Sequence, residues 1–398
     1  MSEANIYAVS PRMENSAGHD KLMALMLGAF EDMHLEPGLV TLKPQVGESR
    51  WNITERRGWA SVERAKAAIS SAHLEGQTRA TWMNAVGDFL RDNGLFNDRL
   101  LETYTRKLRL LPEQSTLVTS HYMAGAFHTF PDSWNFVMIP PDNKPQEAVA
   151  RLTGKANTTF WAVNSHVKDE LSQLGTPEEL IVNTGLLLPN RIYDAINDRL
   201  AIQFGIENGN TNLGDHFFVS IGASAPEMPQ AIWAVDHLLR AGIRTTVHCG
   251  DGRDISIEFR QRVEAIFQSI NSEYEIDDLL TITGGEKGVT RDDELQNWLE
   301  HLADPTITKV VTRPNEMLNI APALGMGVIL LAPFQFHEQH SYDLITRHTQ
   351  RSNVIPISDP IQVPTGISDN FSSGFWLLPT SVDQIKANPR AMNSLGLP

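Results

Sequence analysis

The chain has 398 residues, of which 41% are apolar and 20% charged, with a formal net charge of −15. That length predicts about two to three domains with cores large enough to stand without disulfides or metals. The acidic balance argues against nucleic acid or an anionic membrane as a broad electrostatic partner, leaving only a local basic cluster at Arg99, Arg106, Lys107 and Arg109. Cys249 is the single cysteine, which excludes an intrachain disulfide and fits a reducing compartment. No apolar run reaches transmembrane length, and the first ten residues lack the basic start and apolar core of a signal peptide. The expected location is therefore the cytoplasm, with peripheral attachment to a membrane left open and no integral segment.

In chain order, Asn5 to Ser10 predicts a strand, and a loop follows that ends Ser16-Ala17-Gly18-His19. A helix is expected from about Asp20 to Asp32, with Leu22, Leu25, Met26, Ala29 and Phe30 on one face. From Pro37 to Gln114 the pattern is weaker. Helical periodicity at 62–72, 79–91 and 95–111 predicts a helical insertion over about 50–112, and Trp51, Trp59 and Trp82 read as core. Strands are expected at Leu117 to His121, Phe136 to Ile139 (closed by Pro140-Pro141-Asp142-Asn143) and Phe160 to Val163. Asn164-Ser165 then caps a helix to Leu174 that Gly175 ends, and Ile181 to Gly185 with Pro189 closes a first domain, 1–190.

The second domain, 191–398, opens with a helix over Asp194 to Phe204 and a polar connector to Gly214. His216 to Ile221 is the next strand, and Gly222-Ala223-Ser224-Ala225 a small-residue turn. Pro229 starts a helix at its first position, with Ile232, Trp233, Val235, Leu238 and Leu239 inward and Gly242 as its stop. Ile243 to Cys249 is a strand ended by Gly250-Asp251-Gly252, Ile255 to Ile270 a helix, and Leu279 to Thr283 a strand followed by Gly284-Gly285. Thr290 enters a helix over Asp292 to Leu302. Lys309 to Thr312 is a β-branched run broken by Arg313-Pro314-Asn315, and Asn315 can cap a helix with Glu316 in its first turn. That helix runs to Gly325. Val328 to Leu331 is an apolar run of the kind a strand buried on both faces needs, and Gln335, His337, Glu338, Gln339 and His340 follow in a polar loop. The tail, about 347–398, is rich in Pro, Ser, Asn and Asp, with one helical stretch at Val382 to Ala387.

Repeated strand-helix alternation predicts α/β architecture with doubly wound parallel sheets. The turns at 222–225, 250–252 and 284–288 then open on the carboxyl edge of one sheet. There Gly222, Ala223, Ser224, Gly250 and Gly284 allow backbone N–H groups to approach phosphate.

The run Thr312-Arg313-Pro314, Gly325-Met326-Gly327, Ala332-Pro333-Phe334-Gln335 resembles, in this order, the nucleotide-sugar-binding segment of GT-B glycosyltransferases. The comparison is with the peptidoglycan N-acetylglucosaminyltransferase and the monogalactosyldiacylglycerol synthases. The resemblance implies two Rossmann-like doubly wound domains facing across a cleft, with the tail returning toward the first domain, anchored at Gly374 to Leu378. It implies a nucleotide sugar, expected to be UDP-linked, held by Gly18, Arg313, Asn315, Glu316, Gln335, His337 and Glu338. Where that family places a ribose-binding Glu five residues before the turn glycine, this chain has Ile320, so the role moves to Glu316 or is vacant. Gly18-His19 matches the Gly-His that ends the family's first loop, without the extra glycines. His19 is the foremost general base for an acceptor hydroxyl, with Asp142 and His121 as alternatives. The plainer readings are a helix-capping histidine for His19, a turn residue for Asp142 and a strand-end histidine for His121.

The implied chemistry is metal-independent, inverting transfer of a hexosyl or N-acetylhexosaminyl group to an unknown acceptor hydroxyl on a glycan, lipid or small molecule. No cofactor beyond the co-substrate is expected. His337-Glu338-Gln339-His340 is one residue too short for a two-histidine zinc helix, and no P-loop lysine, G-x-G-x-x-G or serine nucleophile elbow is present. Two other readings stay open: a UDP-sugar epimerase or hydrolase of the same fold, and a binder without catalysis.

Overall fold

The structure is a computed structural model that describes residues 5–10, 17–41, 110–120, 133–140, 157–207, 215–221, 228–249, 255–267, 275–284, 291–314, 316–331, 342, 354–356 and 379–398. The chain divides into two compact units, Met1–Pro189 with Thr380–Pro398, and Asn190–Pro379. The helical insertion and the anchor at Gly374 to Leu378 lie outside the described residues.

The first unit holds a six-stranded sheet of β1 (Ile6–Ser10), β2 (Gly38–Thr41), β3 (Thr116–Thr119), β4 (Asn135–Met138), β5 (Thr158–Ala162) and β6 (Ile181–Asn183). The strand order is β2-β1-β3-β4-β5-β6 and every pairing is parallel. Strand β2, in a stretch the sequence pattern left unassigned, sits at one edge. Helix α1 (Ala17–Asp32) joins β1 to β2 and buries Leu22, Leu25, Met26, Ala29 and Phe30. It begins three residues earlier than the pattern predicts, because Ala17 favours helix and the acidic Asp20 suits the first turn. Helix α2 (Ser165–Gln173) starts where Asn164 accepts the Val167 N–H at 2.7 Å.

The carboxyl-terminal residues complete this unit. Strand β14 (Pro379–Thr380) pairs with β7 (Leu186–Leu187). Two short helices then follow, 382–386 with a Ser381–Gln384 capping box and 389–394 with Pro389 in its first turn. The pattern predicts only the first of these. Buried Trp161 donates from Nε1 to Ser394 Oγ at 2.9 Å, and Thr116 Oγ1 donates to the Leu395 carbonyl at 2.9 Å.

The second unit begins with α3 (Asn190–Glu207), four residues longer at its start than predicted. Its sheet contains β8 (His216–Ile221), β9 (Arg244–Cys249), β10 (Leu280–Thr283), β11 (Lys309–Thr312), β12 (Gly327–Leu330) and β13 (Val354–Pro356). Strand order is β10-β9-β8-β11-β12-β13, all parallel. Strand β13, read from sequence as part of an irregular tail, adds the last edge. The connecting helices are α4 (Met228–Arg240), α5 (Ile255–Phe267), α6 (Ile276–Leu279), α7 (Arg291–Ala303) and α8 (Glu316–Ala323). Phe217, Val219, Ile221, Val247, Val311 and Ile329 share one apolar core with the inward residues of α4 and α5. Phe218 belongs to the opposite face and packs on His301 of α7, ring centroids 5.4 Å apart. Both faces are therefore covered, as parallel strands require. Two expectations for α4 are corrected: the helix begins at Met228, which puts Pro229 at its second position, and Trp233 is 38% exposed, because its place in the turn faces away from the sheet.

Arg199, on the inner face of α3 with no exposure, ties the unit together. Its Nε donates to the Ile307 carbonyl at 2.7 Å and Nη1 to Leu324 at 2.6 Å. Nη2 donates to Leu302 at 2.7 Å and Asp304 at 2.9 Å. One turn on, Gln203 Nε2 donates to the carbonyls of Thr308 at 2.9 Å and Gly325 at 2.7 Å. Burial pulls the guanidinium pKa down to about 10, with the nearby Asp304 charge opposing the fall, so the cation persists at neutral pH. Replacing Arg199 by Met should leave several buried carbonyls unsatisfied and cost about 3–5 kcal/mol, against about 1 kcal/mol for Gln203→Ala. Urea unfolding of the two variants beside the unmodified chain measures both losses.

Candidate functional site

Strands β8 and β11 are neighbours, and the chain leaves them in opposite directions. From β8 it passes through α4 to β9 on one side; from β11 it passes through α8 to β12 on the other. Such a reversal opens a crevice at the carboxyl ends of the strands, where open α/β sheets receive ligands. Arg313 directly follows β11 and is 7% exposed. Thr312, wholly buried before it, accepts the Leu331 N–H at 2.8 Å, so the β11–β12 ladder stays closed up to this edge.

Glu316 is the first residue of α8, at the same edge as Arg313. One turn on, Ile320 is 2% exposed, in the core with Met317, Leu318 and Ala321. The helix ends in a two-bond stop: Gly325 N–H donates to the Pro322 carbonyl at 3.0 Å and Met326 N–H to Ala321 at 2.9 Å. The position that the resemblance fills with a ribose-binding Glu is thus held by core packing. Glu316 is the one carboxylate of the helix, and the switch-point edge is where it stands.

In the first sheet the reversal falls between β1 and β3, since β1 leads through α1 to β2 while β3 lies on its other side. Gly18 and His19 are the second and third residues of α1 rather than the end of a loop. Their backbone N–H groups are consequently among the unpaired donors of a helix amino terminus. Thr119 closes β3 and donates from Oγ1 to the Val9 carbonyl at 3.0 Å, fixing the two switch-point strands to each other.

Each unit therefore carries sequence-predicted site residues at its own switch point: Gly18 and His19 in the first, Arg313 and Glu316 in the second. Gly284 is set apart from Arg313, following the edge strand β10 with β9 and β8 between it and β11. His121, Asp142, Gly222, Ala223, Ser224, Gly250, Asn315, Gln335, His337 and Glu338 lie outside the described residues. Among the described residues no group of three or more His, Cys, Asp or Glu is placed to hold a metal ion. Nor is any described helix long and apolar enough to cross a membrane.

The sequence pattern missed a polar cluster beneath α7. His301 Nε2 lies 2.9 Å from Thr283 Oγ1, and His248 Nδ1 lies 3.5 Å from the same oxygen. His216 is 3% exposed, with Nδ1 3.1 Å from Thr306 Oγ1 and Nε2 2.9 Å from Thr246 Oγ1. The Thr306 hydroxyl donates to Asp304 Oδ1 at 2.7 Å, so its oxygen is left to accept from His216 Nδ1–H. Neutral His216 then accepts the Thr246 hydroxyl through Nε2. Burial pulls its pKa down to about 4, helped by Arg244 and His301 and opposed by Asp304. His301 is shifted down too, chiefly by burial, with Asp304 and Glu300 opposing. The signal in the sequence was alternation on β9, where Thr246 and His248 share the face opposite Val247 and Cys249.

Fold and site define a chain of two Rossmann-like, doubly wound parallel α/β units. No protein-family model matches it, and no curated protein does. Among solved structures it is similar to S. aureus MnaA with UDP, at 11% identity, covering 87% of this chain and 88% of that one, with a TM-score of 0.42. It is also similar to the UDP-GlcNAc 2-epimerase from Neisseria meningitidis bound to UDP-GlcNAc, at 10% identity, 91% and 96% coverage and a TM-score of 0.40. A third is a glycosyltransferase from Rickettsia africae ESF-5, at 9% identity, 92% and 86% coverage and a TM-score of 0.37. Likeness of this degree assigns neither substrate nor reaction.

Gly284 has φ +73°, and a methyl group there would collide with the Cys249 carbonyl oxygen and press on the His248 ring at 3.1 Å. Gly284→Ala should lose about 2–4 kcal/mol from strain and overpacking together. Gly175→Ala, at φ +86° with nothing within 4 Å, should lose only about 1 kcal/mol. Paired denaturation curves compare the two.

Proposed function

We propose that the chain is a nucleotide-sugar enzyme, binding the diphosphate of a UDP-linked sugar at the switch point of the second unit. The observation that carries the proposal is Arg313, a buried cation at the carboxyl end of β11 where the chain reverses direction. A guanidinium there offers a diphosphate paired, charge-assisted hydrogen bonds. The amino terminus of α8 adds backbone donors and a favourable dipole at the same edge.

The reaction we favour is transfer of the sugar to an acceptor hydroxyl, which needs a stabilised leaving group, an oriented sugar and a proton acceptor. Arg313 takes the first role, Gln335, His337 and Glu338 the second, and His19 the third, with Asp142 and His121 as the other bases. The resemblance of the 308–342 segment to GT-B glycosyltransferases supports this assignment. Ile320 in the core, where that pattern has a carboxylate, keeps a second reading: a UDP-sugar epimerase or hydrolase, or a binder without catalysis.

UDP should raise the thermal midpoint of the full chain, and UDP-sugars should do so more than free sugars. Arg313→Ala should weaken UDP binding at least about tenfold, and Glu316→Ala and Gln335→Ala should weaken it as well. His19→Ala should lower turnover while leaving UDP affinity within about threefold. Calorimetry with UDP and product analysis of UDP-GlcNAc and UDP-galactose incubations provide the readings. Free UDP in excess of buffer hydrolysis supports transfer or hydrolysis, and sugar interconversion without UDP supports epimerisation. UDP affinity unchanged in both Arg313→Ala and Glu316→Ala sinks the placement.

A further inference from the structure

Strand β11 and helix α8 are two short legs, about 13 Å and about 12 Å long, that run in opposite directions and join through residues 313–315. Arg313 and Glu316 stand at the joined end, the carboxyl edge of the sheet. The other end of both legs is held by α3. Arg199 donates to the carbonyls of Ile307, before β11, and Leu324, after α8. Gln203 repeats the pattern at Thr308 and Gly325. We propose, resting on the function proposed above, that Arg199 and Gln203 are positioning residues for the diphosphate site. By tying the base of α8 to the base of β11, they hold the amino terminus of α8 in register with Arg313.

The two legs do not need the tie equally. Strand β11 lies between β8 and β12, and both ladders fix it along its axis. Helix α8 has no ladder. Its residues Met317, Leu318, Ile320 and Ala321 are buried, but apolar burial is non-directional and selects a face without fixing a position along the axis. The helix has eight residues, and Pro322 near its end lacks the N–H that would otherwise bond the Leu318 carbonyl. It passes into β12 through Leu324 and Gly325, the latter at φ +73°. The carbonyls of this joint are the ones that Arg199 and Gln203 hold, at 2.6 Å and 2.7 Å. Two apolar residues of α3 close on the same joint: a Cβ at Gly325 would meet Leu200 at 3.3 Å and Ile196 at 3.7 Å.

A short rigid helix carries a displacement of its base to its amino terminus. A diphosphate shared between a guanidinium and helix N–H groups needs both held to within about 0.5 Å of the binding geometry. Arg199 and Gln203 bond at the amino end of β11, and Arg313 follows its carboxyl end. Their effect on a bound diphosphate is therefore one of position and not of contact.

Gln203→Met tests this, since it keeps the side-chain length, removes both donors and spares the fold more than a change at Arg199. Val263→Ala is the control, in the core under α5 on the other face of the sheet, where its cavity should cost more stability than two lost hydrogen bonds. Calorimetry with UDP, run well below each thermal midpoint, should show Gln203→Met weakened at least about fivefold and Val263→Ala within about twofold of the unmodified chain. Without nucleotide, amide exchange at 320–324 should rise in Gln203→Met about tenfold relative to 244–249 on β9. Unchanged UDP affinity in Gln203→Met, equal weakening in Val263→Ala, or exchange that rises equally in both segments overturns the positioning role. If Arg313→Ala weakens UDP and Gln203→Met does not, the positioning role alone fails. If the unmodified chain binds no UDP, or Arg313→Ala and Glu316→Ala bind it unchanged, the proposed function fails and the positioning role with it.

Discussion

The second unit depends on one fully buried cation that has no carboxylate among its bonded partners. Arg199 gathers carbonyls from the end of α7, the entry to β11 and the residue after α8. The last turn of each helix leaves carbonyls unpaired and carries a partial negative charge. Two such ends converging on one guanidinium satisfy the acceptors and offset the cost of burying the charge. Gln203 extends the same service to Thr308 and Gly325, at the starts of β11 and β12. Because α3 fixes where these strands begin, it also fixes where they end, at Arg313 and Leu331.

Topology does the rest of the positioning. Parallel strands need crossover helices, and because the crossovers are right-handed, covering both faces requires the chain to reverse direction in each sheet. The orders β2-β1-β3-β4-β5-β6 and β10-β9-β8-β11-β12-β13 place those reversals between β1 and β3 and between β8 and β11. A described residue that directly follows one of these strands stands at the crevice edge by topology, whatever its chemistry. Arg313 stands out there because it is charged, buried and followed by a helix amino terminus.

How much of this was legible in the sequence follows from what each signal measures. His216–Ile221 and Lys309–Thr312 were read to the residue, because polar breaks flank dense apolar runs. The Asn164 cap and the glycine stops at 175, 242 and 325 were read because each does a local job that few residues can do. Strands β2 and β13 were missed: they are short edge strands, and edges draw less on apolar patterning than central strands do. Trp233 was assigned inward on hydrophobicity alone, although positions 231, 232, 234 and 235 already fill the buried arc of α4. Arg199 was missed for the opposite reason. An arginine on the stripe of Ile192 and Ala195 looks like an interruption until the carbonyls it collects are known, and those lie over 100 residues away in sequence. Candidate positions were legible only where they coincide with a strand end, which is why Arg313 and Glu316 could be assigned to the sheet edge and the histidines beneath α7 could not.

Those histidines pose the sharper physical question, since an apolar face would have held α7 more simply. Leu295, Trp298, Leu299 and Leu302 already bury the helix's apolar side. The imidazole–threonine contacts at His301 and His216 add bonds whose strength depends on a proton count, which Leu or Phe at these positions would not. The bonded threonines come from β9, β10 and the loop between α7 and β11, so the contacts tie α7 to β10 through His301 and β8 to β9 and that loop through His216. Thr283 is the last residue of β10, so its contact with His301 lies at the sheet's carboxyl edge, the edge of the candidate site.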